Sequence, residues 1–291
     1  MNNKQKAILL MVVSTFSFSV MQLVVKLTSK SIPTMEQVFA RNFVTLLLGW
    51  FMLRKNGSPA FGNKENRLAL LGRSVFGYIG VAGYFYATTH MNVADASLLH
   101  RSSPFFVIIF SAIFLKNKLT KVQIGALALA FASSVLVINP SFDSAVVPAL
   151  IGVLSAAGAG AAYTIINYLK GKESNATIVF MFSLVSCVLS ALMGGKDFLL
   201  PNGAQLAALL GIGVFAAIGQ LCLTQAYKMT NPGDVSIINY LGIIFSAVFG
   251  LLFLNEQLGM RSVGGILLIL VAAVLLYVSR GKTSQPKKAK E

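Results

Sequence analysis

Charge is scarce in this sequence. Only 11% of its 291 residues are Asp, Glu, Lys or Arg, and just 9 are acidic. Soluble domains carry about 25% charged residues. Here 56% of the chain is hydrophobic and the mean hydropathy is +0.75. No soluble fold of this size has interior enough for so many apolar side chains, so an integral membrane protein is expected. Cysteine is nearly absent. Cys187 and Cys222 both lie in apolar runs, which excludes a disulfide framework and Cys/His metal spacing. Also lacking are a nucleophile–base–orienter set, a phosphate-cradling glycine loop and a His cluster. An enzyme, including a lipid-modifying one, and an ATP-driven pump are therefore disfavoured, and no cofactor or metal is expected. The acidic residues Glu36, Glu65, Asp95, Asp143, Glu173, Asp197, Asp234, Glu256 and Glu291 fall at span ends, in links or in the tail. None is placed at the midplane, where proton or sodium coupling usually puts a carboxylate.

What the chain has in quantity is long apolar runs. A bilayer core of about 30 Å needs about 20 apolar residues to cross it as a helix. Ten segments qualify: 6–28, 35–53, 68–89, 93–115, 121–139, 147–169, 176–194, 204–227, 234–254 and 261–279. Short proline-bearing links such as Ser31-Ile32-Pro33-Thr34 and Pro201-Asn202-Gly203 stop one helix and start the next. The stretch from Met1 to Ser29 is too long and too polar at its centre for a signal-peptide core, and reads as the first membrane helix. The net charge of +15 is distributed by side rather than gathered in an aromatic-interleaved patch. Nucleic acid is not an expected partner. Lys4, Arg54, Lys55, Lys64, Lys170, Lys172, Arg280 and the lysines of the tail share one side of the ten-span arrangement. Lys26, Lys30, Lys196 and Arg261 share the other. The positive-inside bias then puts both termini in the cytoplasm and the protein in the cell membrane.

The chain repeats itself. Sliding by 139 residues places Ala87 on Ala226, Asn92 on Asn231, Asp95 on Asp234, Ser97 on Ser236 and Leu115 on Leu254. The segments IIFSAIF (108–114) and IIFSAVF (243–249) match better at 135, with a short gap. The unit holds five spans, an odd number, so its second copy enters the membrane the other way up. The fold class expected is an all-α integral membrane protein of ten transmembrane helices in a 5+5 inverted repeat. Residues 1–140 form the first unit, 141–280 the second and 281–291 a basic tail. Inverted repeats of this kind recur in secondary transporters, with the substrate near the midplane between the halves.

The residues SSPFFVIIFSAIFLKNKLTKVQIGALALAFASSVLVI in the first half and IINYLGIIFSAVFGLLFLNEQLGMRSVGGILLILVAAVLLYV in the second carry a resemblance. So do Val25-Lys26-Leu27, Pro33 and the Arg41 of EQVFARNF. The chain resembles the EamA type of the drug/metabolite transporter superfamily. The first copy keeps Pro104, Leu119, Thr120 and Gly125 but has Asn117 where the family often has Glu; the second keeps Glu256, Leu258 and Gly264. The resemblance implies a central cavity lined by helices three, four, eight and nine with one and six, the fifth and tenth lying peripheral. Family members move amino acids, nucleotide-linked compounds, cofactors or drugs.

Arg101 sits roughly 12 Å into the fourth span at a rise of about 1.5 Å per residue. A charge there costs at least about 2.5 to 3.5 kcal/mol, so it should face a wet cavity or a partner. Its fork suits a carboxylate or phosphate; the alternative is a structural pair or reach to the surface. His100 is a hydrogen-bonding or proton-accepting candidate beside it. Asn239 and Tyr240 occupy the matching level of the ninth span. Arg41, Gln22, Tyr84, Tyr163 and Gln225 complete the candidate substrate-binding set, although each suits ordinary packing as well. Arg73 lies near enough to the inner surface to reach it along its own stem. Pro104 and Gly242 are candidate hinge or gate positions, Gly242 heading the small stripe Gly242, Ser246, Gly250. The function expected is secondary transport, by alternating access, of a small polar metabolite with an anionic group such as an amino acid. A nucleotide-like or cofactor-like metabolite or a drug is the alternative. The expected partners are the bilayer and a small-molecule substrate, the protein acting as monomer or homodimer.

Overall fold

The computed structural model describes residues 3–114, 120–138, 146–169, 171–229 and 236–283. Asn117 and Leu119 of the family motif, and Asp143, Asp234 and Glu291, lie outside them. The described residues are helical with connecting turns and contain no strand. Among the described residues eleven α-helices are numbered here in chain order. They are α1 (Asn3–Leu27), α2 (Thr34–Asn56), α3 (Arg67–His90), α4 (Val93–His100), α5 (Ser103–Phe114) and α6 (Lys121–Ile138). They continue as α7 (Val146–Leu169), α8 (Asn175–Gly194), α9 (Gly203–Met229), α10 (Leu241–Phe253) and α11 (Met260–Thr283). Among the described residues, 7 helical stretches are long and apolar enough to cross a membrane, with Lys121–Val137 and Ile238–Phe253 as shorter apolar helices. The helix α2 is as long as these but carries Glu36, Arg41, Arg54 and Lys55.

The helices are oily outside and polar inside. On α1, Ser14, Thr15, Ser19 and Gln22 are buried, whereas Leu9, Val13 and Phe16 are exposed. Leu47, Leu71, Ile113, Leu154, Val188, Leu210, Leu252 and Leu267 continue the exposed apolar belt on other helices. Water would not tolerate that arrangement, and hydrocarbon requires it, because lipid tails solvate leucine and a buried hydroxyl finds a backbone carbonyl. Ser14 donates to the Gly219 carbonyl at 2.7 Å, and Ser133 to the Gly265 carbonyl at 2.7 Å. Glycine allows the close approach: a Cβ at Gly80 would lie 3.0 Å from the backbone nitrogen of Ala159.

Helix pairings come in matched sets. The α3–α7 contact has its counterpart in α9–α1, and α5–α7 in α10–α1. The α3–α8 contact answers α9–α2, while α2–α8 and α6–α11 are each their own counterpart. Links also gather by end. At one end Gln205 donates to the Ser31 carbonyl at 2.9 Å, and the Leu199 N–H to Glu36 at 3.2 Å. The links after α3 and α10 meet there too, through Asn92 and the Gln257 carbonyl at 3.3 Å. At the other end Glu173 accepts from the Asn63 N–H and the Asn66 side chain, both at 2.8 Å.

The fourth span departs from an unbroken helix over 93–115. It is α4, a turn at Arg101-Ser102, then α5. Pro104 is the physical reason. Lacking an N–H, it cannot bond to the His100 carbonyl, and it is tolerated in the first turn of a new helix. The stretch before α10 is also irregular: Ser236–Tyr240 is a 3-10 turn rather than the start of an α-helix.

Candidate functional site

The two irregular stretches face one another. The Arg101 side chain leaves the C-terminal end of α4. Its Nε donates to Ser97 Oγ at 3.1 Å, and its Nη1 donates to the Asn239 carbonyl. The guanidinium lies across Gly242, where an added Cβ would collide with it. The Gly242 carbonyl accepts from Ser19 at 3.3 Å and from Ser97 at 3.5 Å. Gly242 is therefore the floor on which Arg101 rests.

His100 points about 100° further around the helix than Arg101. Its ring stacks on Tyr84 with centroids 4.1 Å apart and planes at 3°, and Nδ1 lies 3.0 Å from Ser155 Oγ on α7. The Tyr84 hydroxyl is turned towards Ser97 and Gln22. Gln22 is fully buried, and its amide has no hydrogen-bond partner of normal geometry among the described residues. Tyr240 is buried in a cluster with Leu98, Phe105 and Ile243, so its ring packs in the core. Tyr84, His100, Arg101, Gln22, Asn239, Tyr240 and Gly242 thus come together from α1, α3, α4, α10 and the turn before α10.

Arg41 and Tyr163 belong to a neighbouring group. Arg41 from α2 and Arg73 from α3 both stack on Phe182 of α8, their Cζ atoms 5.6 Å and 4.1 Å from the ring centre. Arg41 is 7% exposed and Arg73 9%. Arg41 Nη1 donates to the Asn42 side chain at 2.8 Å, but Arg41 Nε and Arg73 Nε and Nη1 have no acceptor among the described residues. Tyr163 lies within electrostatic reach of both arginines, and His100 within reach of Arg41 and Arg101. Two unit charges no more than about 10 Å apart repel by about 1.7 kcal/mol or more at an effective dielectric of about 20. Stacking on an aromatic face returns about 2 kcal/mol when desolvated. Gln225 is exposed on α9 and joins neither group. An apolar crevice between α2, α8 and α9, lined by Thr45, Met52, Val179 and Gln220, contains no charged side chain.

The acidic side chains among the described residues are elsewhere. Glu36 and Glu173 receive link hydrogen bonds, and Asp95 is in the first turn of α4. Glu256 accepts from the Val93 N–H at 2.9 Å and lies 3.8 Å from Lys26 Nζ. The core between these ends holds Arg41, Arg73, His100 and Arg101 with no carboxylate among the described residues set beside them.

The profile of the EamA-like transporter family matches residues 5–139 and again 146–278. The chain belongs to the EamA-like transporter family. Pseudopaline exporter CntI of Pseudomonas aeruginosa is 34% identical over 274 residues, covering 94% of this chain and 96% of that protein. A riboflavin transporter of Brucella anthropi is 26% identical, covering 89% and 93%. Human solute carrier family 35 member G1 is 27% identical, covering 90% and 76%. A solved crystal structure of 18% identity superposes with a TM-score of 0.64 over 97% of this chain and 99% of its own, which shows the shared fold. This EamA-like chain is a membrane transporter of the drug/metabolite type.

In this EamA-like transporter, sequence reasoning set Arg73 aside as a residue reaching for the inner surface. The structure turns it the other way, flat along α3 and onto Phe182. The available signal was Gly77, one turn beyond: a Cβ there would lie 2.8 Å from Arg73 Nη1 and 3.0 Å from the Phe182 ring.

Proposed function

We propose that this protein is a secondary transporter that exports or exchanges a small polar metabolite bearing an anionic group, an amino acid or a close relative, by alternating access. One observation carries the reading. Arg101, at the break in the fourth crossing, reaches the Asn239 carbonyl beside the irregular start of the ninth. These are corresponding places in two halves of one chain, which we take as inverted units 1–140 and 141–280 making ten crossings. The matched helix pairings and the doubled family match support that division. A cation held by neutral acceptors at such a junction can exchange a carbonyl for a substrate carboxylate. The bond would break and re-form as the halves rock. The basic links and the tail at residues 281–291 support cytoplasmic termini in the cell membrane.

Counterflow in proteoliposomes, with a panel of labelled amino acids and related acids, tests this. The expected result is saturable exchange for a subset of anionic compounds, and a loss of at least about tenfold in Arg101→Ala, one charge-assisted bond. Full counterflow in R101A for every transported compound would sink the assignment. The likeness to riboflavin transporters favours a second reading, a cofactor-like heterocycle received by the Tyr84–His100 stack. Riboflavin bears no anionic group, so its exchange should survive R101A and fall in Tyr84→Ala.

A further inference from the structure

The buried pair Arg41 and Arg73 is not used by the site around Arg101. Three facts set it apart. Both guanidinium groups are more than nine-tenths buried, and both stack on Phe182. Three of their donor nitrogens have no acceptor among the described residues. Among the described residues no ion pair is found at either of them, while Lys26, at a helix end, has Glu256.

Two like charges in a water-poor interior are costly unless something negative meets them. A structural arginine in such a place has a carboxylate or a set of carbonyls. This pair has one asparagine oxygen, the face of Phe182 and a tyrosine within electrostatic reach. Ser183 and Ser186 are fully buried, their hydroxyls likewise without a partner among the described residues. They follow Phe182 by one and four positions on the helix that packs against both α2 and α3. Tyr163 lies within electrostatic reach of the pair and is 44% exposed. Unfilled donors of one sign, converging on one ring from two helices, form a holder for an anion.

We propose that Arg41 and Arg73, with Phe182 between them and Tyr163 at the edge, form a second anion subsite, so that the transported compound carries two anionic groups. One would meet Arg101 and the other the Arg41–Arg73 pair, with His100 between them, within reach of Arg41 and Arg101. This rests on the transport reading above and adds the substrate's charge pattern to it. The α-carboxylate of an amino acid would suit the Arg101 end. A second carboxylate or a phosphate would suit the paired forks.

Thermal stabilisation of the purified full-length protein tests it with L-glutamine, L-glutamate and O-phospho-L-serine. These share an amino-acid head and bear zero, one and two charges on the side chain. The expected order of half-saturating concentration is phosphoserine lowest and glutamine highest, about tenfold between them. In Arg41→Gln and in Arg73→Gln the order should collapse to the glutamine value, with the glutamine response kept. Gly77→Ala retains both charges but sets a methyl group against Arg73 and Phe182, and should also collapse the order if neutralised variants fail to fold. Arg101→Ala should weaken all three compounds alike. An order that survives in R41Q and R73Q, or equal stabilisation by the three compounds in the wild type, overturns the second subsite and leaves the transport reading standing. A wild-type order with no effect of R101A on any compound would instead count against the Arg101 site.

Discussion

Glu256 shows how one side chain ties distant parts together. Gly250 accepts the N–H of Leu254 and of Glu256, and Asn255 adopts φ 53, so the chain turns sharply back after α10. Asparagine tolerates that left-handed conformation better than most residues. The turn delivers the carboxylate to the N-terminus of α4, where it accepts the Val93 N–H that Asn92 leaves uncapped. Burial pushes the Glu256 carboxyl above its ordinary range; the Val93 N–H and Lys26 pull it down, and Asp95 adds to the rise. The sign follows. The assembled contact binds a proton more readily than an exposed glutamate, so acidification favours it, in a window just above the usual carboxylate value near about 4.3. Wild-type melting temperature should rise slightly as pH falls from neutral towards that window, and the rise should be smaller in Glu256→Gln. The glutamine keeps an acceptor for Val93 and should be within about 0.5 kcal/mol of wild type, whereas Glu256→Ala should cost about 1 kcal/mol as a lost cap. A pH slope of the opposite sign, read by scanning fluorimetry, would refute the dominance of burial.

At the scale of elements, the broken fourth crossing matters most. Pro104 leaves the His100 carbonyl without its helical donor, and the chain closes α4 with the Arg101 N–H on the Ser97 carbonyl at 2.9 Å. Pro104→Ala restores a donor and allows α4 and α5 to run on as one helix. Stability should stay the same or rise by up to about 1 kcal/mol, while counterflow falls several-fold, because Arg101 would turn away from the Asn239 carbonyl. Melting curves and exchange rates on the same preparation check both halves of that expectation. The helices themselves were legible because hydrophobic length is a local signal; α1 begins and ends within a few residues of the apolar run. The turn at Arg101-Ser102 was announced only by a nearby proline. The bond from Arg101 to Asn239 had no signature, because its acceptor is backbone and every residue has one. Arg73 was misleading for another reason. Depth along a helix gives the position of Cα, but an arginine stem is long enough to point its charge either way, and Phe182 lies more than a hundred positions along the chain. Glu36 and Glu173 were readable as end residues, yet their roles as acceptors for the links depend on tertiary pairing.

For the whole molecule, the alternating access proposed above requires that the two ends do not open together. One end joins α1, the α3–α4 link and the α10–α11 link: Lys26 Nζ donates to the Met91 carbonyl at 2.7 Å and faces Glu256 at 3.8 Å. The other joins the α2–α3 and α7–α8 links through Glu173, and Thr177 donates to the Pro59 carbonyl at 2.8 Å. The first set spans helices of both halves around the Arg101 junction, so opening that end must part Lys26 from Glu256. The two groups are 3.8 Å apart, too far for a hydrogen bond, and a pair so loosely joined can break in every cycle. A covalent version would not break. Replacing Lys26 and Glu256 by cysteine, with Cys187 and Cys222 changed to alanine, allows the pair to be bridged by a short bifunctional methanethiosulfonate. Counterflow should stop on bridging and return on reduction, while the uncoupled double-cysteine protein stays active. Bridging across Asn63 and Glu173, by the same chemistry, should also stop it, because each end must open once per turnover. Full exchange by a protein shown by mass to be bridged at Lys26 and Glu256 would mean that this end stays shut throughout, and the two halves would then not be rocking about Arg101.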